Sequence, residues 1–207
     1  MQQTVRKKPQ TRIQKQNISA ILDAALEVFS AHGFRGSTLD QIANEAGLSK
    51  PNVLYYFNGK EAIHVALLSD LLDNWLDPLR AMNPNGNARD ELLAYINRKL
   101  ELSRNFPRES RLFANEIVQG APRIEEFLKG ELRILVDEKA AVIEQWMDAG
   151  QIAKLDPHHL IFSIWALTQH YADFEAQIRL VRGDKIKDSY AGAQNFVETI
   201  FNKILTP

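Results

Sequence analysis

The sequence contains no cysteine in its 207 residues. That excludes a disulfide scaffold, a thiol nucleophile and a thiolate metal site, and it suits a reducing compartment. Long apolar runs are missing as well. The longest, Leu160 to Leu167, is broken by Ser163 and falls far short of the roughly 18 residues that suggest a spanning helix. The segment Gln10 to Asn17 supplies no apolar region for a signal peptide. A soluble, cytoplasmic protein without membrane association is therefore expected. Net charge is also nearly absent, with 25 Lys+Arg against 26 Asp+Glu, which taken as a whole argues against a nucleic-acid binder. Catalytic signatures are lacking too. Glu61-x-x-His64 has no second Glu-x-x-His to match it, His158 and His159 are adjacent and do not converge on a helix, and there is no G-x-S-x-G elbow or Walker loop. No enzyme, no metal site and no bound cofactor are expected.

What is present is helical periodicity. The first 16 residues hold Arg6, Lys7, Lys8, Arg12 and Lys15 and no acid, reading as a basic flexible arm (1–16) that either solubilises the chain or touches phosphate. From Asn17, a good N-cap, Ile18, Ile21, Leu22, Ala25, Leu26 and Phe29 recur at helical spacing, and Gly33 suits a C-terminal stop. Thr38 and Gln41 form a T-x-x-Q capping box that opens a second helix with Leu39, Ile42, Ala43 and Ala46 on its apolar face. Gly47 ends it, and Ser49 caps a third short helix with Pro51 in its first turn, reaching about Phe57. Asn58 and Glu61 repeat the pattern ahead of a fourth, longer helix. Three helices joined by very short turns, with a glycine in the tight one, are the helix-turn-helix pattern; spacing alone leaves an ordinary helical corner equally open.

The remainder reads as helices over about 60–82, 88–105, from Pro107 to the break at Gly120-Ala-Pro122, then to about Gly150, from Asp156-Pro157 to about Arg182, and about 188–205. No stretch reads as a strand, and the fold class is all-α with about nine helices. The domains are a helix-turn-helix unit over 17–62 and a helical ligand-binding and dimerisation domain over 63–207. Once divided, the charge is informative. Residues 1–65 carry 8 basic and 5 acidic side chains, net +3, leaving 17 against 21, net −4, in the rest. Only one end has the balance expected of a surface that meets phosphate.

The residues that carry a resemblance are Gly36-Ser-Thr38, Ile42-Ala43, Ala46-Gly47-Leu48-Ser49-Lys50, Tyr56-Phe57 and Lys60-Glu61. They resemble the DNA-binding domain of the TetR family of transcriptional regulators. Leu54-Tyr-Tyr-Phe57, Leu72 to Pro78 (LDNWLDP), Ser110-Arg-Leu-Phe113, Val136-Asp-Glu-Lys139 and Trp165 to Phe174 are similar to the pyrimidine-utilisation branch of that family. The resemblance implies a homodimer reading a palindromic operator in double-stranded DNA through successive major grooves. It implies a small-molecule effector bound in the C-terminal domain, here uracil or a related pyrimidine, and control, mostly repression, of pyrimidine breakdown or nitrogen-use genes. The sequence departs from the family at Leu54, where a tyrosine is common, so Tyr55 and Tyr56 are left to supply hydroxyls.

On this reading the DNA-binding residues are Ser37, Thr38, Ser49, Lys50, Pro51, Asn52, Tyr55, Tyr56 and Lys60. Thr38 caps a helix whose N-terminus suits a phosphate. Ser49 to Asn52 form the turn that meets base edges, Lys50 suiting guanine and Asn52 adenine. Tyr55 and Lys60 suit phosphate. For the ligand, Trp165 and Gln169 lie four residues apart on one helical face, offering a ring for a flat base and an amide for its edge. Trp75 joins them, with Phe113, Asn115, His170 and Asp73 as further candidates. A ligand touching the fourth helix would bias the spacing of the reading heads, a coupling of typically about 1–3 kcal/mol. The alternatives are a regulator of another small planar ligand, or a helical interaction module with a non-functional DNA head.

Overall fold

The computed structural model describes residues 11–183 and 188–207, which form helices and no strand. The chain divides into two compact units, Met1–Leu67 and Leu68–Pro207.

In the first unit, α1 (Arg12–Gly36) starts five residues earlier than its apolar periodicity suggests. Thr11 makes a full capping box with Gln14, so the polar turn before Asn17 is already helical. Residues 12–16 therefore belong to α1 rather than to a flexible arm, and residues 1–10 of that arm lie outside the described residues. The helical path breaks at Gly33, whose φ is +67°. α2 (Leu39–Glu45) begins on the Thr38–Gln41 capping box and α3 (Lys50–Tyr56) on Ser49, as the spacing predicts. Between them Gly47 sits at φ +66°, with its N–H on Asn44 and that of Leu48 on Ala43. This Schellman closure satisfies the last carbonyls of α2 in a turn only glycine enters cheaply. The core is made by Ile21, Ala25 and Phe29, Ile42 and Ala43, Val53, and Ile63 from the start of α4 (Lys60–Arg80), all buried.

The second unit takes the rest of α4, with Pro78 in its last turn, then α5 (Ala88–Asn105), capped by Asn87, and α6 (Pro107–Val118). A short α7 (Glu125–Phe127) runs through a π-helical turn (Leu128–Leu132) into α8 (Arg133–Asp148). α9 (Pro157–Asp173) and α10 (Glu175–Arg182) replace the single helix expected to reach Arg182. Phe174 leaves the helical region there, with its ring stacked 5.0 Å from that of His170. The last helix, α11 (Ala193–Ile204), starts later than expected, because the Asp188 carboxylate accepts the Tyr190 N–H and Gly192 takes φ +79°. The helix count stays near nine. α5 lies against α9, α6 and α11, and α9 also lies against α8. Leu92, Ile96, Ile143, Trp146, Ile161, Ile164, Val197 and Phe201 fill the space between them. No helix among the described residues is long and apolar enough to cross a membrane.

Candidate nucleic-acid interface and effector site

The reading surface is built from the turn outward. Ser49 Oγ accepts the Asn52 N–H and leaves Ser49, Lys50, Pro51 and Asn52 on the surface at the start of α3. Val53, one position on, is fully buried and fixes which face of α3 points inward. Leu54 and Tyr55 are exposed, Tyr55 by 71 %. Tyr56 turns the other way. Its hydroxyl accepts a hydrogen bond from Asn17 Nδ2 at 2.9 Å and ties α3 to α1. Lys50 Nζ meets Asp40 Oδ2 of α2 at 2.8 Å, with both groups exposed. Thr38 is exposed at the N-terminus of α2.

Two expected DNA residues are placed differently. Ser37 is buried, and its hydroxyl donates to the carbonyls of Val28 and Gly33. The Lys60 ammonium donates to the carbonyls of Phe34 and Ser37, each at 2.6 Å, and lies 4.5 Å from the Phe34 ring centroid. Both side chains hold the end of α1 in shape, a use that a motif match cannot distinguish from phosphate contact. Lys139 does the same for the end of α4, donating to the carbonyls of Arg80 and Met82.

The expected ligand residues separate into groups. Trp75 is buried in the second unit with Leu71, Leu102 and Phe113, the two rings 6.5 Å apart. Trp165 is half-buried, and its indole N–H is spent on the Tyr95 hydroxyl at 2.6 Å; burial raises the Tyr95 pKa. Gln169 follows half-buried on α9. Asp73 lies exposed in a surface network around Arg80, with Asp77 and Glu131. Asn115 is exposed on α6, beside rather than on its buried stripe of Leu112 and Glu116, and His170 is exposed beside Phe174. Asp73, Asn115 and His170 are thus turned to the surface, because each falls off its helix's apolar stripe. Trp146 is structural, donating to the Pro84 carbonyl. A cleft of about 300 Å³ beside α5, lined by Asn97, Glu101, Arg104, Tyr190 and Asn195 among others, holds none of the expected residues.

Sequence reasoning missed Lys99, which is 5 % exposed beneath Trp75. The signal was present: Lys99 stands seven residues after Leu92 and three after Ile96, on the apolar stripe of α5. Burial lowers its pKa to about 7, with Asp173 of α9 opposing the shift. Burial also raises the Asp173 pKa, while a hydrogen bond from Ser110 and the charges of Arg111, Lys99 and His170 pull it down. Among the described residues no group of three or more His, Cys, Asp or Glu is arranged to hold a metal ion.

Comparison with known proteins agrees with this architecture. The family model described as bacterial regulatory proteins, tetR family, matches residues 21–67. The model described as YcdC-like protein, C-terminal region, matches residues 68–207. The HTH-type transcriptional regulator RutR of Escherichia coli is 50% identical over 169 residues, covering 82% of this chain and 80% of RutR. A tetR-family regulatory protein from Rhodococcus RHA1 superposes with a TM-score of 0.74 at 19% identity, over 92% of this chain and 98% of that one. AibR, solved in complex with isovaleryl coenzyme A and operator DNA, gives a TM-score of 0.70 at 17% identity, over 88% and 97% of the two chains. The relatives named here are regulators rather than enzymes. With both family models together spanning residues 21–207 and 50% identity to RutR over 169 residues, the chain belongs to the TetR family and is a DNA-binding transcriptional regulator of the helix-turn-helix type.

Proposed function

We propose that this regulator acts as a homodimer on a palindromic operator and that uracil or a related pyrimidine, bound in the second unit, lowers its affinity for that operator. The observation that carries the DNA half is the exposed first turn of α3, where Ser49, Lys50, Pro51 and Asn52 stand clear of a helix pinned by Val53 and Tyr56. A turn held this rigidly presents its side chains to base edges without an ordering cost at the moment of binding. Support for dimerisation comes from exposed apolar side chains on α10 and α11, with Leu180 73 %, Val181 80 % and Phe196 58 % exposed. Support for a planar, polar-edged effector comes from Trp75 and Phe113 with a cation against the indole ring, and from the segments similar to the pyrimidine-utilisation branch. That AibR was solved with both a small molecule and operator DNA fits the same division of labour.

The mechanism needs only a difference in affinity. A pyrimidine that binds the DNA-incompetent form more tightly shifts the population, and linkage makes the operator weaken pyrimidine binding by the same factor. Selection of bound sequences from random DNA, with and without uracil, tests both halves. A palindromic consensus that is depleted by uracil is expected. Selection of no sequence would overturn the operator reading. A consensus indifferent to uracil and its relatives would overturn the effector reading.

A further inference from the structure

Two donors in the second unit lie largely out of water with no acceptor among the described residues. The Lys99 ammonium lies 4.4 Å from the Trp75 ring centroid, and the influences on it are burial and the charge of Asp173, with no hydrogen bond among the described residues. The Trp75 Nε1–H is buried and likewise has no acceptor among the described residues. Trp75 of α4 packs with Leu71, Leu102 and Phe113, and Lys99 of α5 lies against its ring. Asp173 on α9 is near enough to act on the Lys99 charge but forms no ion pair with it; its Oδ1 accepts from Ser110. Burying a cation and an N–H without acceptors is costly. A leucine or methionine on the same stripe of α5 would pack without that cost, so stability does not account for the lysine.

We infer that Lys99 and Trp75 form the oxygen-binding half of the effector site, and that the effector is a small cyclic imide whose carbonyl oxygen meets these two donors while its adjacent N–H meets Asp173. The inference rests on the proposal that the second unit binds a pyrimidine, and it specifies the edge that is read. Uracil presents that edge on either side of its imide N–H; cytosine, with an amino group in place of one carbonyl, has no imide and keeps the edge only at its single carbonyl. Phe113 and the indole provide the flat flank.

Among the described residues Asp173 is the charge that acts on Lys99, and other groups act on Asp173 in turn. α9 brings Asp173 and, at the surface, His170; α6 brings Arg111; Tyr190, ahead of α11, feels Asp173 and is itself held above the ordinary tyrosine pKa by burial. α4 faces Lys99 with Trp75, and on α5 itself Tyr95 is kept neutral by burial. Lys99, with its pKa lowered to about 7, changes charge near neutrality. Imide affinity therefore falls as pH rises through that value.

The test is calorimetry on the full chain with uracil, glutarimide and cytosine, at about pH 6 and about pH 8, for wild type, Lys99→Met and Trp75→Phe. Wild type is expected to bind both imides at least about tenfold more tightly than cytosine, and Lys99→Met to lose about tenfold or more for both. Trp75→Phe, which keeps a ring under the ammonium, is expected to lose a smaller part, and the pH dependence is expected to vanish in Lys99→Met. A thermal melt of Lys99→Met at or above the wild-type temperature at the lower pH establishes that the variant is folded. Unchanged imide affinity in Lys99→Met overturns this inference and leaves the pyrimidine reading standing. Lys99-dependent binding of glutarimide without binding of uracil overturns the pyrimidine reading and leaves this one. Wild type that binds neither imide overturns both.

Discussion

Asn17 donates a hydrogen bond from Nδ2 to the hydroxyl of Tyr56 at 2.9 Å, joining two helices 39 residues apart in sequence. The bond couples the second turn of α1 to the end of α3. Tyr56→Phe keeps the ring and removes the bond. It is expected to cost about 1 kcal/mol in urea melts and to weaken specific operator DNA while preserving the ranking of operator variants. A changed ranking in binding titrations would mean that the hydroxyl itself reads a base.

Lys60 and Lys50 separate cleanly by their partners. Lys60→Met strips the Phe34 and Ser37 carbonyls of their cation and is expected to cost roughly 1.5–3 kcal/mol of stability. Measured on protein that remains folded, the salt dependence of DNA binding is expected to be unchanged. A salt slope lower by about one would instead assign Lys60 to a phosphate.

Lys50→Ala removes only an exposed pair with Asp40, so its stability change is expected to lie within about 1 kcal/mol. Its effect falls on discrimination. Loss of a good base contact is expected to relax preference at one base pair by about 1–3 kcal/mol. Equal loss on operator and random DNA would remove Lys50 from base readout.

Lys99 makes stability depend on pH in a defined direction. Its pKa falls from 10.5 in the unfolded chain to about 7 in the fold. The unfolded state therefore binds more protons between those values, and stability rises with pH across the window. The burden is full below about pH 7 and is relieved toward pH 10.5. The shift corresponds to roughly 3–5 kcal/mol. Without effector, Lys99→Met is expected to be more stable than wild type at about pH 6, by an amount that shrinks as pH rises. Chemical denaturation at several pH values checks this; a variant less stable than wild type at low pH would assign the ammonium a structural role.

Glu116 and Arg123 form a buried ion pair in the second unit, at 2.8 Å, with the Glu116 side chain 1% exposed and a second oxygen accepting the Arg123 backbone N–H. Glu116→Ala is expected to cost roughly 3–5 kcal/mol, because it leaves a cation inside. A loss under about 1 kcal/mol in denaturation would show that the pair is solvated.

What the sequence disclosed followed from local chemistry. The T-x-x-Q box at Thr38, the glycine at 47 and the cap at Ser49 each act within a few residues, so their spacing sufficed to place α2 and α3. Thr11–Gln14 is the same box, but with polar residues inside it the apolar period gave no warning. Functional assignments were less legible where a side chain has two uses. A lysine after a helix-turn-helix suits a phosphate and suits helix-end carbonyls equally well, and the positions of Phe34 and Ser37 reveal the second use for Lys60. Trp165 looked available because its neighbour Gln169 was visible in the sequence, while Tyr95, 70 residues away, was not. Lys99 was hidden by the ordinary expectation that lysines face water.

The pairing of Lys50 with Asp40 has a consequence for how salt acts on this regulator. A lysine that enters a DNA groove usually displaces condensed cations into solution, and that release drives binding at low salt. Lys50 is already paired with an exposed carboxylate of its own fold. The base or phosphate that captures it must first exchange with Asp40, so part of the electrostatic gain is spent within the protein. Non-specific DNA, which offers only phosphate, is disadvantaged most by that exchange. On the proposed reading, α3 thus carries an internal counterion, a filter that favours sites offering Lys50 more than charge.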